Sequence, residues 1–282
     1  MKVIGVIGTG TMGSGITQVA AQAGFEVLYQ NRRQESVDRG LATIRKTLDR
    51  LVSKERLTAT QRDEALSRIR GVVPLAELKQ CDIVIESAPE DLAVKQQILE
   101  ALDNTLSDDT IIASNTSSLS ITRLGGFTKR PGHFCGMHFF NPVPAMKLVE
   151  VVRGLNTSDS TAELVRKLAE SLGKIPIDVQ DFPGFVVNRV VMPMINEAAL
   201  ALMQGVADAK GIDECMKLGC NHPMGPLALA DLVGLDVVQA ILESLYREFG
   251  DPRYQPCTLI RKRVEAGWLG VKAGRGFYSY EK

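Results

Sequence analysis

The chain has 282 residues, of which 45% are apolar and 23% charged, as in an ordinary globular protein large enough for one or two domains. Lysine plus arginine equals aspartate plus glutamate at 33 each, so no net field recruits nucleic acid or a membrane surface. No apolar run approaches the roughly 18 residues of a membrane span.

Met1-Lys2-Val3 enters a strand at once, which leaves no signal or transit peptide and predicts a cytoplasmic protein. Lys2 to Ile7 is an apolar, β-branched run that reads as a buried parallel strand. It ends in Gly8-Thr9-Gly10-Thr11-Met12-Gly13, and a helix follows with Met12, Ile16, Val19, Ala20 and Ala23 on one face. Phe25 to Gln30 is the next strand. A GxGxxG match gains its specificity from this strand–loop–helix–strand setting. Gly8 permits the tight turn, Gly10 lets the backbone approach a pyrophosphate, and Gly13 lets helix and strand pack closely. The helix N-terminus then offers N–H groups and a positive dipole end to the phosphates.

At the end of the second strand a carboxylate normally binds the adenosine ribose diol of NAD. This chain has Asn31, followed by Arg32 and Arg33. Asparagine does not repel a 2′-phosphate and a guanidinium can bind one, which admits NADP. The other reading keeps Asn31 on the diol and both arginines in solvent. Both stay open at this point.

Ser36 to Lys54 is a long amphipathic helix with Val37, Leu41, Ile44, Leu48 and Leu51 as its stripe. Arg45, Lys46, Arg50 and Lys54 make it basic, either as a solvated face or as a phosphate site. Thr58-x-x-Gln61 has capping-box form. Asp82–Ala88 and Thr110–Ser114 are strands. Asn115 to Ser120 is a polar loop at a strand C-terminal end, where doubly wound sheets bind ligands. Ser118 or Ser120 suits a helix cap, and Ser117 is the hydroxyl to aim at a substrate.

Cys135–Phe140 and Met146–Val152 are strands joined by Asn141-Pro-Val-Pro144, which proline makes extended or a turn. Met146, Leu148, Glu150 and Val152 share a strand face, so a carboxylate stands among apolar side chains. A buried carboxylate needs a partner, and His138 is the obvious one if the turn brings the segments together. Alternatively His138 is a satisfied core histidine and Glu150 lies on a wet sheet edge. Ser160-x-x-Glu163 opens a helix to Leu172, and Ile175–Val179 is a last short strand. From Pro183 the pattern is helical: Gly184–Met203 with Pro193 inside, Lys210–Leu218, Pro226–Phe249 and Thr258–Ala266, with Phe277–Tyr280 as a candidate strand. The expected architecture is an α/β dinucleotide-binding domain over 1–183, a Rossmann-type doubly wound sheet, followed by an all-α domain over 184–282. Five cysteines form no CxxC pair and read as reduced thiols, and the three histidines do not match a zinc spacing.

These motifs together resemble the short-chain (S)-3-hydroxyacyl-CoA dehydrogenases over the whole chain. The likeness rests on the glycine loop, Ser-Asn-Thr-Ser-Ser-Leu-Ser-Ile, Gly-Met-His-Phe-Phe-Asn-Pro, Met-Lys-Leu-Val-Glu-Val-Val, Pro-Gly-Phe-Val-Val-Asn-Arg, His-Pro-Met-Gly-Pro-Leu and the Ala-Gly-Trp-Leu-Gly-Val-Lys ending. The resemblance implies His138 as catalytic histidine, Glu150 as the carboxylate that orients it, and Ser117 and Asn188 around the substrate's 3-oxygen and thioester. It implies Gly8, Thr9, Gly10, Thr11, Met12 and Gly13 as the dinucleotide loop. Glu90, Lys95, Ser117, Asn141 and Lys272 match cofactor-side positions, and Thr47 and Lys54 match coenzyme A contacts. Asn31 departs from the family's usual aspartate, which leaves NAD against NADP open. An acyl-CoA substrate and a homodimer formed through the helical domain, which also carries part of the substrate cleft, follow by resemblance only. A dehydrogenase of a free 3-hydroxy acid and a catalytically silent dinucleotide-binding protein are the rival readings.

Overall fold

The structure is a computed structural model and describes residues 1–280. It divides into two compact units, Met1–Phe182 and the chain from Pro183 onward. In the first, β1 (Val3–Ile7) leads to α1 (Thr11–Gln22), β2 (Glu26–Gln30), α2 (Gln34–Ser53), α3 (Ala59–Ser67) and β3 (Ile69–Val72). Then follow β4 (Ile83–Glu86), α4 (Leu92–Asp103), β5 (Ile111–Ser114), the short α5 (Ile121–Gly125), β6 (Phe134–Phe139), β7 (Leu148–Arg153), α6 (Asp159–Ser171) and β8 (Ile175–Gln180).

All eight strands form one sheet in the order β3-β2-β1-β4-β5-β6-β7-β8. Every neighbouring pair is parallel except β6 and β7. The chain winds outward from β1 in both directions, so the strand order reverses between β1 and β4. Ligands of doubly wound sheets bind at that switch point, beyond the strand C-terminal ends. β4 and β5 are buried at every position: each opens with three apolar residues and ends in a polar one, Glu86 and Ser114. Ile4, Val6, Ile16, Val27, Ile83, Ile85, Val149 and Val151 belong to the core.

The glycine loop has the geometry that its spacing predicts. Gly8 has φ +101°, and a Cβ there would stand 2.2 Å from the Ser87 carbonyl oxygen. A Cβ on Gly13 would stand 1.9 Å from the Gly8 carbonyl oxygen, so this glycine closes the loop against α1. At Gly10 a Cβ would meet nothing within 4 Å. That open side is the approach a phosphate needs.

Local structure differs from the sequence reading in four places. β3 was not expected, because Ile69-Arg70-Gly71-Val72 is short and shows no alternation; pairing with β2 and packing of Gly71 against Val37 form it. Ser158, rather than Ser160, caps α6, its side chain accepting from the Thr161 N–H. The helical run from Pro226 breaks at Gly234, where φ is +102°, into α9 (Pro226–Val233) and α10 (Leu235–Phe249). Phe277 to Ser279 makes an isolated bridge at most, from Ser279 to Arg275, in place of a strand. The Asp231 carboxylate fixes this segment, accepting from the Phe277 N–H, the Tyr278 N–H and the Tyr280 hydroxyl.

The second unit is helical: α7 (Val187–Met203) with Pro193 inside it, α8 (Ala209–Cys220), α9, α10 and α11 (Thr258–Glu265). Its own core holds Met192, Ile195, Leu227, Val238, Leu242 and Ile260. Among the described residues no helix is long and apolar enough to cross a membrane.

The two loop glycines should separate in a stability measurement. Gly13→Ala forces a Cβ onto backbone and should cost roughly 2–3 kcal/mol, a drop of several degrees in Tm. Gly10→Ala should cost less than half of that. Equal melting temperatures for both variants would contradict the steric difference.

Candidate active site

Three adjacent strands end level with one another. Ile7 of β1 pairs with Glu86 of β4, and Glu86 pairs with Ser114 of β5. The glycine loop follows Ile7, the Pro89-Glu90 turn follows β4, and the Asn115–Ser120 loop follows β5. All three loops therefore meet at the switch point.

Between the end of β2 and α4 a cavity of about 330 Å³ is lined by Gly8, Asn31, Arg32, Pro89, Gln97 and Ile98, among others. Its size and its position beside the glycine loop fit the adenosine end of a dinucleotide. The Asn31 amide donates to Thr9 Oγ1 at 2.9 Å, and its oxygen faces the Arg33 N–H at 3.4 Å. Asn31 thus braces the glycine loop as well as lining the cavity. Arg32 and Arg33 are exposed, and among the described residues neither pairs with a carboxylate.

Next to Ala88 lies a buried charge cluster. Glu86 is 0% exposed and Lys95, from α4, is 1% exposed. The Lys95 ammonium donates to both Glu86 oxygens at 2.8 and 3.0 Å, and to the Ala88 carbonyl at 3.3 Å. Glu86 also accepts from the Ala88 N–H and the Ser114 hydroxyl, both at 2.6 Å. Lys95 pairs with Glu90 as well, at 3.4 Å. The other Glu90 oxygen gathers the 116–118 turn. It accepts from the Thr116 hydroxyl at 2.6 Å, from the N–H groups of Ser117 and Ser118 at 2.9 and 3.0 Å, and from the Ser118 hydroxyl at 3.0 Å. The Ser117 hydroxyl stands 3.4 Å from the same oxygen. Burial pushes the Glu90 pKa up, but Lys95 and these donors outweigh it and hold the group below its ordinary range.

His138 and Glu150 face each other on β6 and β7, as directly paired residues of the antiparallel ladder. His138 Nδ1 lies 2.7 Å from Glu150 Oε2, and the two residues are 6% and 1% exposed. A carboxylate accepts only, so Nδ1 carries the proton of this bond and the tautomer is fixed. The Phe140 ring lies 4.5 Å from the imidazole. Two further contacts hold this hairpin. The Asn115 side chain accepts from the Phe139 N–H at 2.9 Å and donates to the Ser87 hydroxyl at 3.2 Å. Lys174 donates to the carbonyls of Val143 and Met146, and Val143 packs on Gly15 of α1.

Asn141 is exposed just after β6, in the loop that opens β7. Thr47 and Lys54 lie at the half-buried and exposed edges of α2 and its C-terminal end, with the Thr47 hydroxyl donating to the Thr43 carbonyl. In the second unit Asn188 is buried near the start of α7. Lys272 pairs there with Asp236 at 2.6 and 2.7 Å.

Residues 3–182 match the family described as 3-hydroxyacyl-CoA dehydrogenase, NAD binding domain, and residues 184–280 match 3-hydroxyacyl-CoA dehydrogenase, C-terminal domain. The chain belongs to the 3-hydroxyacyl-CoA dehydrogenase family. It is 52% identical to a probable 3-hydroxybutyryl-CoA dehydrogenase of Bacillus subtilis, over 100% of this chain and 98% of that one. It is 50% identical to a 3-hydroxybutyryl-CoA dehydrogenase of Clostridioides difficile, over 99% of each. The crystal structure of an (S)-3-hydroxybutyryl-CoA dehydrogenase from Ralstonia eutropha matches it with a TM-score of 0.97 at 52% identity, covering 100% of both chains.

For this 3-hydroxyacyl-CoA dehydrogenase family member, sequence reasoning passed over three side chains that shape the site. Glu86 was hidden inside the apolar run Ile-Val-Ile-Glu, although a carboxylate in a buried strand is itself a signal. Asn115 opens the polar loop after β5, and nothing local marks its bonds to the Phe139 N–H and the Ser87 hydroxyl. Asp181 caps α5 from 60 positions away, accepting from the N–H groups of Ile121 and Thr122 and from the Ser120 hydroxyl. No local pattern encodes that contact.

The lowered Glu90 pKa has a signed consequence. A depressed carboxylate contributes stability in full above its unfolded value, 4.5, and loses it as pH falls below that through the folded value. Glu90→Gln should therefore flatten the fall of Tm between about pH 5 and pH 3. Thermal melts across that range, with superimposable profiles for both chains, would remove Glu90 from the acid response.

Proposed function

We propose that this chain interconverts (S)-3-hydroxyacyl-CoA, with 3-hydroxybutyryl-CoA as the reference substrate, and 3-oxoacyl-CoA, using NAD. The observation that carries the reading is the buried His138–Glu150 pair on adjacent strands of a chain in this family. The glycine loop fits the pyrophosphate, since only its Gly10 side is open, and the Asn31-lined cavity fits the adenosine. Bound NAD supplies the hydride acceptor in oxidation and the donor in reduction.

The protein's own share is acid–base and positional. With Nδ1 held by Glu150, His138 takes the 3-hydroxyl proton at Nε2 as the alcohol is oxidised. It returns that proton to the 3-oxygen in reduction. Glu150 orients the ring and stabilises the imidazolium. Ser117 and Asn188 hydrogen-bond the 3-oxygen and the thioester, as the family resemblance implies, which orients the substrate and offsets developing charge. Thr47 on the basic helix α2 and Lys54 at its C-cap take the coenzyme A portion, and Asn141 and Lys272 serve the cofactor. The first unit is the dinucleotide-binding domain. The helical unit adds substrate contacts and forms a homodimer, which the exposed Val190, Val206, Leu218 and Leu232 on its surface support.

NADP is accepted alongside NAD. Asn31 brings no charge against a 2′-phosphate, its amide is engaged by Thr9, and Arg32 lines the same cavity with no carboxylate partner among the described residues.

Initial rates with acetoacetyl-CoA at pH 7, following NADH and NADPH in parallel, test the reaction class and the cofactor together. Turnover with neither would sink the reading; turnover of free acetoacetate in place of the thioester would transfer it to a free-acid dehydrogenase. His138→Gln should bind NADH normally and lose about 10²–10⁴-fold in kcat. Near-normal turnover in that variant would displace His138 from the chemistry. Asn31→Asp should raise the preference for NADH over NADPH by about tenfold, and an unchanged ratio would place the 2′-position elsewhere.

A further inference from the structure

Glu86 is fully buried, so it touches no ligand directly, yet it stands at the level where β1, β4 and β5 end. Its partners are the Lys95 ammonium, the Ala88 N–H and the Ser114 hydroxyl. Lys95 in turn pairs with Glu90. Two carboxylates and one ammonium leave one net negative charge. Among the described residues no other cation pairs with Glu86 or Glu90. Satisfying Lys95 alone would need a single carboxylate, so the second one is surplus to charge balance. The buried pair Glu86–Lys95 is balanced, so the surplus charge resides on Glu90, whose side chain is 36% exposed and within reach of a ligand.

The position says what it serves. This step rests on the dinucleotide reading above. The cavity runs from Asn31 and Arg32 to Ala88, Pro89 and α4, beside the glycine loop, so a dinucleotide with its adenosine there runs its nicotinamide end onward across β4 toward β5 and the 115–120 loop. The glycine loop already touches that side, since a Cβ on Gly8 would strike the Ser87 carbonyl. Oxidised nicotinamide carries a positive charge and reduced nicotinamide is neutral. A fixed negative charge on that side attracts only the oxidised form.

We infer that Glu86 is a positioning residue that sets the redox preference of cofactor binding: through Lys95 and Glu90 it leaves one net negative charge at the nicotinamide end, which tightens NAD⁺ relative to NADH. Glu86→Gln keeps the length, keeps one oxygen for the Lys95 ammonium and the Ala88 N–H, turns its amide N–H toward the Ser114 hydroxyl, which can accept, and removes that charge. Glu86→Gln combined with Lys95→Met restores a net charge of minus one through Glu90 alone.

The measurement is the pair of dissociation constants for NAD⁺, by calorimetry, and NADH, by its fluorescence, on the full chain without substrate. A unit charge at an effective dielectric near 20 is worth on the order of tenfold in binding a cation. The ratio of the NAD⁺ to the NADH dissociation constant should therefore rise about tenfold in Glu86→Gln. It should return to within about twofold of the starting value in the double variant, as the charge count does. A purely structural role for Glu86 predicts that both constants worsen together and that the ratio stays put, which would overturn the inference. If Glu86→Gln does not fold, Glu90→Gln removes the same unit of charge from the partly exposed end and must raise the ratio likewise; an unmoved ratio there also overturns it. Failure of the unaltered chain to bind either dinucleotide would mark the cofactor reading as the error, and the inference would fall with it.

Discussion

The parallel register that ends β1, β4 and β5 on one line is the constraint on which the site depends. Ile7, Glu86 and Ser114 are neighbours across the sheet. The three loops that follow can then share backbone and side-chain contacts that no single loop could make. Gly8 lies against the Ser87 carbonyl, the Asn115 N–H donates to the Glu86 carbonyl, and Glu90 collects three residues of the next loop. A slip of one residue in either pairing would turn Glu86 to the opposite sheet face and dissolve the cluster. The site is thus a property of register before it is a property of any residue.

The same logic governs the histidine. β6 and β7 are the only antiparallel neighbours among the described strands, and that reversal sets His138 opposite Glu150 as a ladder pair. Burying an ion-forming pair is unfavourable by itself, and removing one partner is worse, because the other is left without compensation. The hairpin therefore has to be rigid, and it is braced from two sides: Asn115 holds the Phe139 N–H, and Lys174 holds the carbonyls of the connecting loop. In the proposed reaction charge moves onto the imidazole, and a geometry held this firmly would need little reorganisation for it, which is the electrostatic advantage of a preorganised site.

What the sequence made legible follows from which interactions are local. The glycine loop could be read because its three glycines answer to sterics within thirteen residues of the N-terminus. The capping box of Thr58 and Gln61 could be read for the same reason, and both of its hydrogen bonds are present. The doubly wound sheet followed by a helical unit came from periodicity. Contacts between distant segments were illegible. β3 exists only because β2 pairs with it, Asp181 caps a helix 60 positions earlier, and Asp231 fixes Phe277 and Tyr278. Gly234 was legible as a residue but not as a break, because only its positive φ separates α9 from α10. Glu86 was the instructive omission: strand pattern and burial absorbed a carboxylate whose partner, Lys95, lies on a different element.

Asn31 and Glu86 share no hydrogen-bond partner. Asn31 bonds to Thr9, whereas Glu86 bonds to Lys95, Ala88 and Ser114, and Lys95 to Glu90. Groups without shared partners contribute nearly additively. Discrimination at the 2′-position and discrimination between oxidation states can therefore change independently in this scaffold. On the proposed reading Asn31 is an instance: a carboxylate at that position would change the charge beside the adenosine ribose and leave the Glu86–Lys95–Glu90 cluster and the His138–Glu150 pair untouched. On that reading the choice of cofactor is made in the loop after β2, while strand register holds the His138–Glu150 pair.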